Sequence, residues 1–470
     1  MPRRIAVSTL NASTIDILNT IRANAPLEYQ NLVPEVTIEA DIPKVGDVLY
    51  GYPALANYFI SALVNRIAMV RVKSATFNNA YAELKKGYLE YGETVEEVFV
   101  QIAKAREFSA EKAKDREFKR TLPDVKAAFH TMNYRVQYPI TIQDEDLRMA
   151  FLDAQGVQDL IAKIVDSVYV GAEYDEYLLF KYLMIKAIAH GKMKPVSIGD
   201  GSDMHDAAIQ YRGISNMLQF IKTEYNEAGV HTNTSKADQY IFMDAQYNAA
   251  YDVNVLASAF NMDKAEFMGK LKLIDDWTTF DNDRFDQIRA GSDQIEEVTS
   301  AELALMSDVK AVLVDREWFQ IYDNLSKMTE DYVASGLYWN YFYNVWKTVS
   351  YSPFSNAVVF VTSNVSTDLT ALSFTIENIS SDTAGNTVIT LAPDEDTAAI
   401  SRMSYSFVQT DDDVEALIAV HPYGAYIIPA GSSATSITPT INLNGVELTA
   451  SAITLANVAI GDVVSFTSGS

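Results

Sequence analysis

The sequence predicts an α+β chain in two folded parts, a mixed helix-and-strand core through residue 363 and an all-β module from 364 to 470. Three observations lead there: a long apolar-striped helix pattern ending near residue 190, an abrupt composition change near 364, and a net-positive stretch inside an acidic chain.

The chain has 470 residues, beyond the length at which one hydrophobic core stops growing, and 48% of them are hydrophobic. Net charge is −25 with only 21% charged residues, so the imbalance is a shortage of Lys and Arg, which disfavours nucleic-acid binding by the bulk surface. The absence of cysteine removes disulfides, thiolate nucleophiles and Cys-ligated metals. Met1 to Leu10 carries Arg3 and Arg4 but no apolar stretch of signal-peptide type, and no later run approaches a membrane span, so a cytoplasmic origin and no membrane partner are expected.

The first 45 residues, broken by Pro34 and Pro43 and lacking sustained periodicity, read as an extended arm that is disordered or ordered by lying on something else. Residues 54–66 pattern as a short helix and Met69 to Lys73 as a strand, and Val95, Val98, Val100 and Ile102 alternate as another strand. Between 104 and 120 stand seven cations, Lys104, Arg106, Lys112, Lys114, Arg116, Lys119 and Arg120, against four acids. This stretch is either a solvated helix face with i,i+4 pairs or a projecting β-hairpin whose positive side docks on an acidic neighbouring copy.

Asp144 is placed as an N-cap, with Glu145 and Asp146 in the favourable first turn, and Gly156 as a break or kink. The apolar stripe through Leu178, Leu179, Tyr182 and Leu183 then runs to His190, with Gly191 as C-cap and Pro195 beyond, a spine on the order of 50 Å long. Farther on, Ala208 to Tyr225 and Val253 to Phe260 pattern as helices, and Gln239 to Ala245 and Val309 to Val314 as strands. The aromatics between Tyr338 and Phe360, with only Lys347 among them, indicate core and not a base-stacking surface.

After 364 a single cation remains, Arg402, and short apolar runs alternate with turn residues at the spacing of a small sandwich. Expected strands are Ala371 to Ile376, Thr387 to Leu391, Tyr405 to Val408, Ala425 to Ile428, Ile453 to Val458 and Val463 to Phe466.

Candidate chemistry is thin. The five histidines share no metal-ligand spacing, and no P-loop, HExxH, GxGxxG or GxSxG is present. Ser109 and Lys112 fit SxxK without a companion motif, and Asp200, Asp203, His205 and Asp206 read as a polar turn. Asp281, Asp283 and Asp286 lack the glycine and terminal glutamate of a calcium loop, and Asp411, Asp412 and Asp413 lack ligand spacing. No catalytic, metal or cofactor site is expected.

Several stretches match a known family in order and rough spacing: Lys85-Lys86-Gly87, Gly92 to Glu97, Pro123 to Lys126 with Phe129-His130, and Thr141 to Asp144. They continue with Asp175-Glu176-Tyr177, Ala259 to Met262, Ala311 to Asp315, Trp318-Phe319, Tyr322 to Leu325, and Gly336 to Tyr341 running on to Trp346 and Ser355 to Val358. On these residues the chain resembles the major capsid proteins of small, short-tailed phages with protein-primed DNA. The resemblance implies the tailed-phage capsid fold: an arm at 1–45, a core at 46–363 with an extended loop at about 68–141, a spine helix at about 144–190 and an axial domain at about 205–305, and an immunoglobulin-like domain at 364–470. It also implies a virion protein that is not an enzyme, binds no cofactor, and forms hexamers and pentamers with itself. Its other implied partners are a scaffolding protein, a portal protein and packaged double-stranded DNA on the inner face. The alternatives are a surface adhesin or S-layer-like protein, and a carbohydrate-active enzyme with paired carboxylates.

Overall fold

The structure, a computed structural model, describes residues 14–59 apart from 53 and 57, 79–89, 94–108 apart from 106, 123–143, 168–199, 204–251, 270–362 apart from 293, and 372–468 apart from 409–414, 418–422 and 444–445. The expected strand at 69–73, the spine's start with Asp144 and Gly156, and the helix at 253–260 lie outside these residues.

The N-terminal segment corrects the expectation of an extended arm. It folds as α1 (Thr14–Asn24), α2 (Leu27–Leu32) and α3 (Ile42–Gly51). Leu18, Ile21 and Ala25 recur at helical spacing and meet Tyr29, Val33, Ile42, Val45 and Leu49 in one apolar cluster that closes on Ile142 and Tyr341. Arg22 ties the helices together by donating from Nε to the Val33 carbonyl at 2.8 Å and from its guanidinium to the Gln30 carbonyl at 2.9 Å. Prolines at 26, 34 and 43 cut the segment into helices too short for periodicity to stand out in sequence. The surface it packs on is a sheet of the core, reached through Ile142 and Tyr341.

That sheet has the order β1-β9-β10-β4, with β1 (Gly87–Tyr88), β4 (Met132–Gln143), β9 (Phe319–Val333) and β10 (Tyr338–Tyr351). Pro139 is tolerated because β4 is an edge strand. A register shift at Trp346/Lys347 brings Lys347 opposite Asp323 of β9.

Helix α4 (Val170–Ala189) is buried on nearly every side, including Asp175, Glu176 and Lys181, so its described part is a core rod and not an amphipathic surface helix. It ends as the sequence indicates. Gly191 takes φ +63°, its N–H reaches the Ile188 carbonyl at 3.0 Å, and the Lys192 N–H reaches Ala187 at 2.7 Å, a Schellman closure.

A second sheet has the order β5-β11-β8-β6-β7, with β5 (Lys194–Ser197), β6 (Gln239–Asp244), β7 (Lys270–Ile274), β8 (Val309–Asp315) and β11 (Ala357–Val361). The unbroken apolar runs in β6, β8 and β11 arise because both faces are covered. Phe242, Val312, Val314 and Val359 point to the α4 side, whereas Ile241, Met243, Ala311, Leu313, Val358 and Phe360 join Tyr211 of α5 (Met204–Met217). The helix expected to Tyr225 thus stops at Met217, and residues 218–234 form a loop pinned by Asn226, whose buried side chain bonds both backbone groups of Val230. Helices α6 (Ala245–Tyr251), α7 (Asn282–Arg289) and α8 (Ser300–Leu305) complete the core, α8 opening with a Thr299/Glu302 capping box.

From 372 onward the structure is almost wholly antiparallel. Strands β12 (Leu372–Ser381), β13 (Thr387–Pro393), β14 (Tyr405–Val408), β15 (Glu415–Leu417), β16 (Gly424–Ile428), β18 (Thr440–Leu443), β19 (Val446–Ala450) and β21 (Val463–Ser468) form a sheet in the order β14-β18-β19-β21-β12-β13-β16-β15. A small pair, β17 (Ser436–Ile437) with β20 (Ile453–Thr454), lies beside it, and α9 (Glu395–Ala399) precedes β14. Leu372, Phe374 and Ile376 alternate inward, and the Phe407 ring of β14 packs 5.3 Å from Phe374 and 6.1 Å from Tyr426 of β16, so the sheet folds over its own core. The strand expected at Ile453 to Val458 is confined to Ile453–Thr454.

Candidate functional site

The strand expected at Val95 to Ile102 is present as β2 (Val95–Val100), and it pairs antiparallel with β3 (Val125–His130), a strand not among those expected, with Val95 opposite His130 and Val100 opposite Val125. Opposed residues in such a ladder share a face, so the ribbon has two distinct sides. On the inner side Phe99 stacks on Phe354 at 5.8 Å, Ser352 donates to Glu97 at 2.8 Å, His130 meets Ser350 at 2.5 Å and Glu97 at 3.3 Å, and Lys126 donates to the Ala228 carbonyl at 2.6 Å.

The outer side is open and, apart from Glu96 opposite Phe129, apolar. Val98, Val100, Val125 and Phe129 are 53%, 56%, 49% and 66% exposed, and Ile102 continues the row. Two strands with one dry face are marginal alone, which is why the inner side must be bolted to the body. Lys104 is exposed just beyond β2. Arg106, Lys112, Lys114, Arg116, Lys119 and Arg120, with Ser109, lie outside the described residues.

At the root of this loop, Lys85, just before β1, bonds Glu176 of α4 at 2.9 Å and Asp323 of β9 at 2.8 Å. Lys347 of β10 bridges the same two carboxylates, at 2.6 Å to Asp323 and in close contact with Glu176. Asn79 donates to the other Glu176 oxygen at 2.8 Å. Burial pushes both carboxyls up, but Lys347 and then Lys85 outweigh it and hold Glu176 and Asp323 below the ordinary carboxylate range. The Lys347 ammonium is lowered by burial and raised more by Glu176 and Asp323. Two cations against two carboxylates leave this knot neutral while tying loop, helix and sheet together. Composition carries no sign of it, yet Lys85, Glu176 and Asp323 all stand in the resemblance stretches, and Lys347 is the cation noted among the aromatics.

The remaining acid clusters have structural uses. Asp281 caps α7 by accepting from the Arg284 N–H, Asp175 takes the Arg284 guanidinium and the Tyr138 hydroxyl at 2.6 Å, and Glu302 binds Lys186 at 2.9 Å and His190 at 3.1 Å. Among the described residues no group of three or more His, Cys, Asp or Glu is placed to hold a metal, and no helix is long and apolar enough to cross a membrane. His205 and Asp206 open α5, while Asp200, Asp203 and the run 411–413 lie outside the described residues.

Comparison with known proteins places these features. The family model of the Phi29-like phage major capsid protein matches residues 18–361 and stops at the end of β11. The major capsid protein of Bacillus phage B103 is 35% identical over 353 residues, covering 74% of this chain and 72% of that one. That of Bacillus phage GA-1 is 34% identical over 74% of this chain and 69% of its own, and that of Streptococcus phage Cp-1 is 29% identical over 57% and 77%. The solved capsid of Staphylococcus phage Andhra aligns at a TM-score of 0.47 with 15% identity, covering 61% of this chain and 85% of that one. These comparisons give no support to the adhesin alternative. The chain therefore belongs to the Phi29-like phage major capsid protein family, and is a structural component of the virion that associates with its own copies in the head shell, not an enzyme.

Proposed function

We propose that the chain builds its shell as hexamers and pentamers, and that the β2–β3 hairpin is the arm by which each copy holds the next. The observation that carries this reading is the two-sided ribbon, bolted to its own body on one face and presenting Val98, Val100, Ile102, Val125 and Phe129 on the other. Contiguous apolar surface of that kind marks an interaction site. Lys104, Arg106, Lys112, Lys114, Arg116, Lys119 and Arg120 stand between β2 and β3 in the sequence, while the chain carries −25 overall, so in this reading the arm meets an oppositely charged neighbour and its register is set electrostatically.

In this reading 68–141 is the extended loop, 144–190 the spine, and the β5-β11-β8-β6-β7 sheet with 205–305 the axial part facing the capsomer centre. The all-antiparallel fold of 372–468 supports an immunoglobulin-like sandwich on the shell. A scaffolding protein and a portal protein are the assembly partners, and double-stranded DNA is enclosed by confinement and not gripped, since the acidic surface offers few phosphate contacts. Reversing Lys112, Lys114 and Arg116 to Glu is expected to abolish or misdirect assembly and leave the monomer folded by circular dichroism. Normal shells from that variant would remove the docking role of the basic stretch.

A further inference from the structure

We propose that the C-terminal module is a brace for the hairpin, seated on the 223–231 loop by Arg402. Arg402 is the only cation after residue 364, and it points back into the core. Its Nε donates to the Glu227 carbonyl at 3.0 Å and its guanidinium to the carbonyls of Thr223 at 2.8 Å and Asn226 at 3.2 Å. Beside it the Ser401 N–H donates to the His190 carbonyl at 3.1 Å, and Ser404 Oγ to the Gly191 carbonyl at 3.1 Å. The module thus bonds the two residues that follow α4, just past its own Schellman closure.

The seat is shaped for this contact. Gly191 and Gly229 both take left-handed φ, +63° and +65°. A Cβ on Gly191 would stand 1.6 Å from Ser404 Oγ, and one on Gly229 would stand 2.4 Å from the Arg402 guanidinium. Two positions whose backbone conformation favours glycine are therefore also positions where the module leaves no room for a Cβ.

The same short loop holds the hairpin. The carbonyl of Ala228, one residue past Glu227, accepts from Lys126 of β3, and His231 donates its N–H to the Gln101 side chain beyond β2 at 3.2 Å. Glu227 also binds Lys192 at 3.0 Å and Tyr351 at 2.8 Å. Arg402 and Lys126 thus grip adjacent peptides of one segment from the module and from the hairpin, so holding the loop holds the direction in which the arm leaves the body. The consequence for assembly rests on the arm role proposed above, but the brace itself is a property of the single chain.

Hydrogen exchange read by mass spectrometry on the soluble, unassembled full-length protein tests the brace whether or not shells form. In Arg402→Ala, amides of 401–404 and of 223–231 are expected to exchange about tenfold faster or more, as removal of hydrogen bonds to a charged group implies, and those of 95–101 and 125–130 to follow. Exchange in β6 and β8 serves as the fold control and should not change. Arg402→Lys, which keeps the charge but loses the forked geometry, should give a smaller shift in the same segments, and it carries the test if the alanine variant does not fold. Faster exchange at 401–404 with no change in the hairpin would overturn the brace, and unchanged exchange at 401–404 would overturn Arg402 as its anchor.

Discussion

Replacing Lys347 with methionine tests whether the buried knot at the hairpin root holds the core together. The side chains of Lys347 and Glu176 are each 6% exposed and that of Asp323 is 31% exposed, so the substitution leaves two carboxylates sharing Lys85 in a largely dry site. Breaking a buried pair by removing one partner costs about 3–5 kcal/mol, and the partial hydration of Asp323 argues for the lower end, about 3 kcal/mol. All four tryptophans, Trp277, Trp318, Trp339 and Trp346, lie in the core, so their fluorescence in a urea titration follows core unfolding while the C-terminal module stays silent. With a urea slope of about 3 kcal/mol/M, the midpoint should fall by about 1 M. Adding Glu176→Gln removes the orphaned charge and leaves Lys85 with Asp323, so the double variant should recover much of the loss. A midpoint within about 0.2 M of the parent, or a double variant worse than the single one, would refute the reasoning, because either result would mean the charges are effectively in water.

Glu302 gives the fold a pH dependence. Burial raises the Glu302 carboxyl, but His190, Lys186 and the Thr299 N–H outweigh it and bring it from 4.5 down to about 2, so its folded value lies below its unfolded one. Its contribution is present above pH 4.5 and lost as pH falls toward about 2. Acid unfolding followed by tryptophan fluorescence should therefore be less steep in Glu302→Gln, and an unchanged acid transition would contradict that role. On the hairpin, Val98→Asp with Phe129→Asp changes only exposed side chains, so the unfolding free energy read from the urea titration should stay within about 0.5 kcal/mol of the parent while shell yield collapses. Shells in normal yield would show that this face is not an interface.

What the sequence made legible follows from locality. The apolar run of β8, the four residues of β14, the Gly191 stop of α4 and the composition break before β12 are each written within a few neighbouring residues. The helical arm was hidden because its apolar positions are split among short helices that only the β4–β10 surface completes. Strands β18 and β19 are absent from the expected set because Asn442, Asn444 and Gly445 are residue types that favour turns, whereas Asn442 and Leu443 pair with Glu447 and Val446. The root knot joins Lys85, Glu176, Asp323 and Lys347, and no periodicity relates residues so far apart in the chain. Arg402 was visible as a solitary cation, but its use depends on carbonyls that only the folded loop presents.

The self-assembly at the centre of this account is tested most directly by negative-stain electron microscopy of the purified chain, expressed with and without a candidate scaffolding protein. Closed shells, or hexameric and pentameric rings, are the predicted result. A monodisperse monomer under every condition would contradict it.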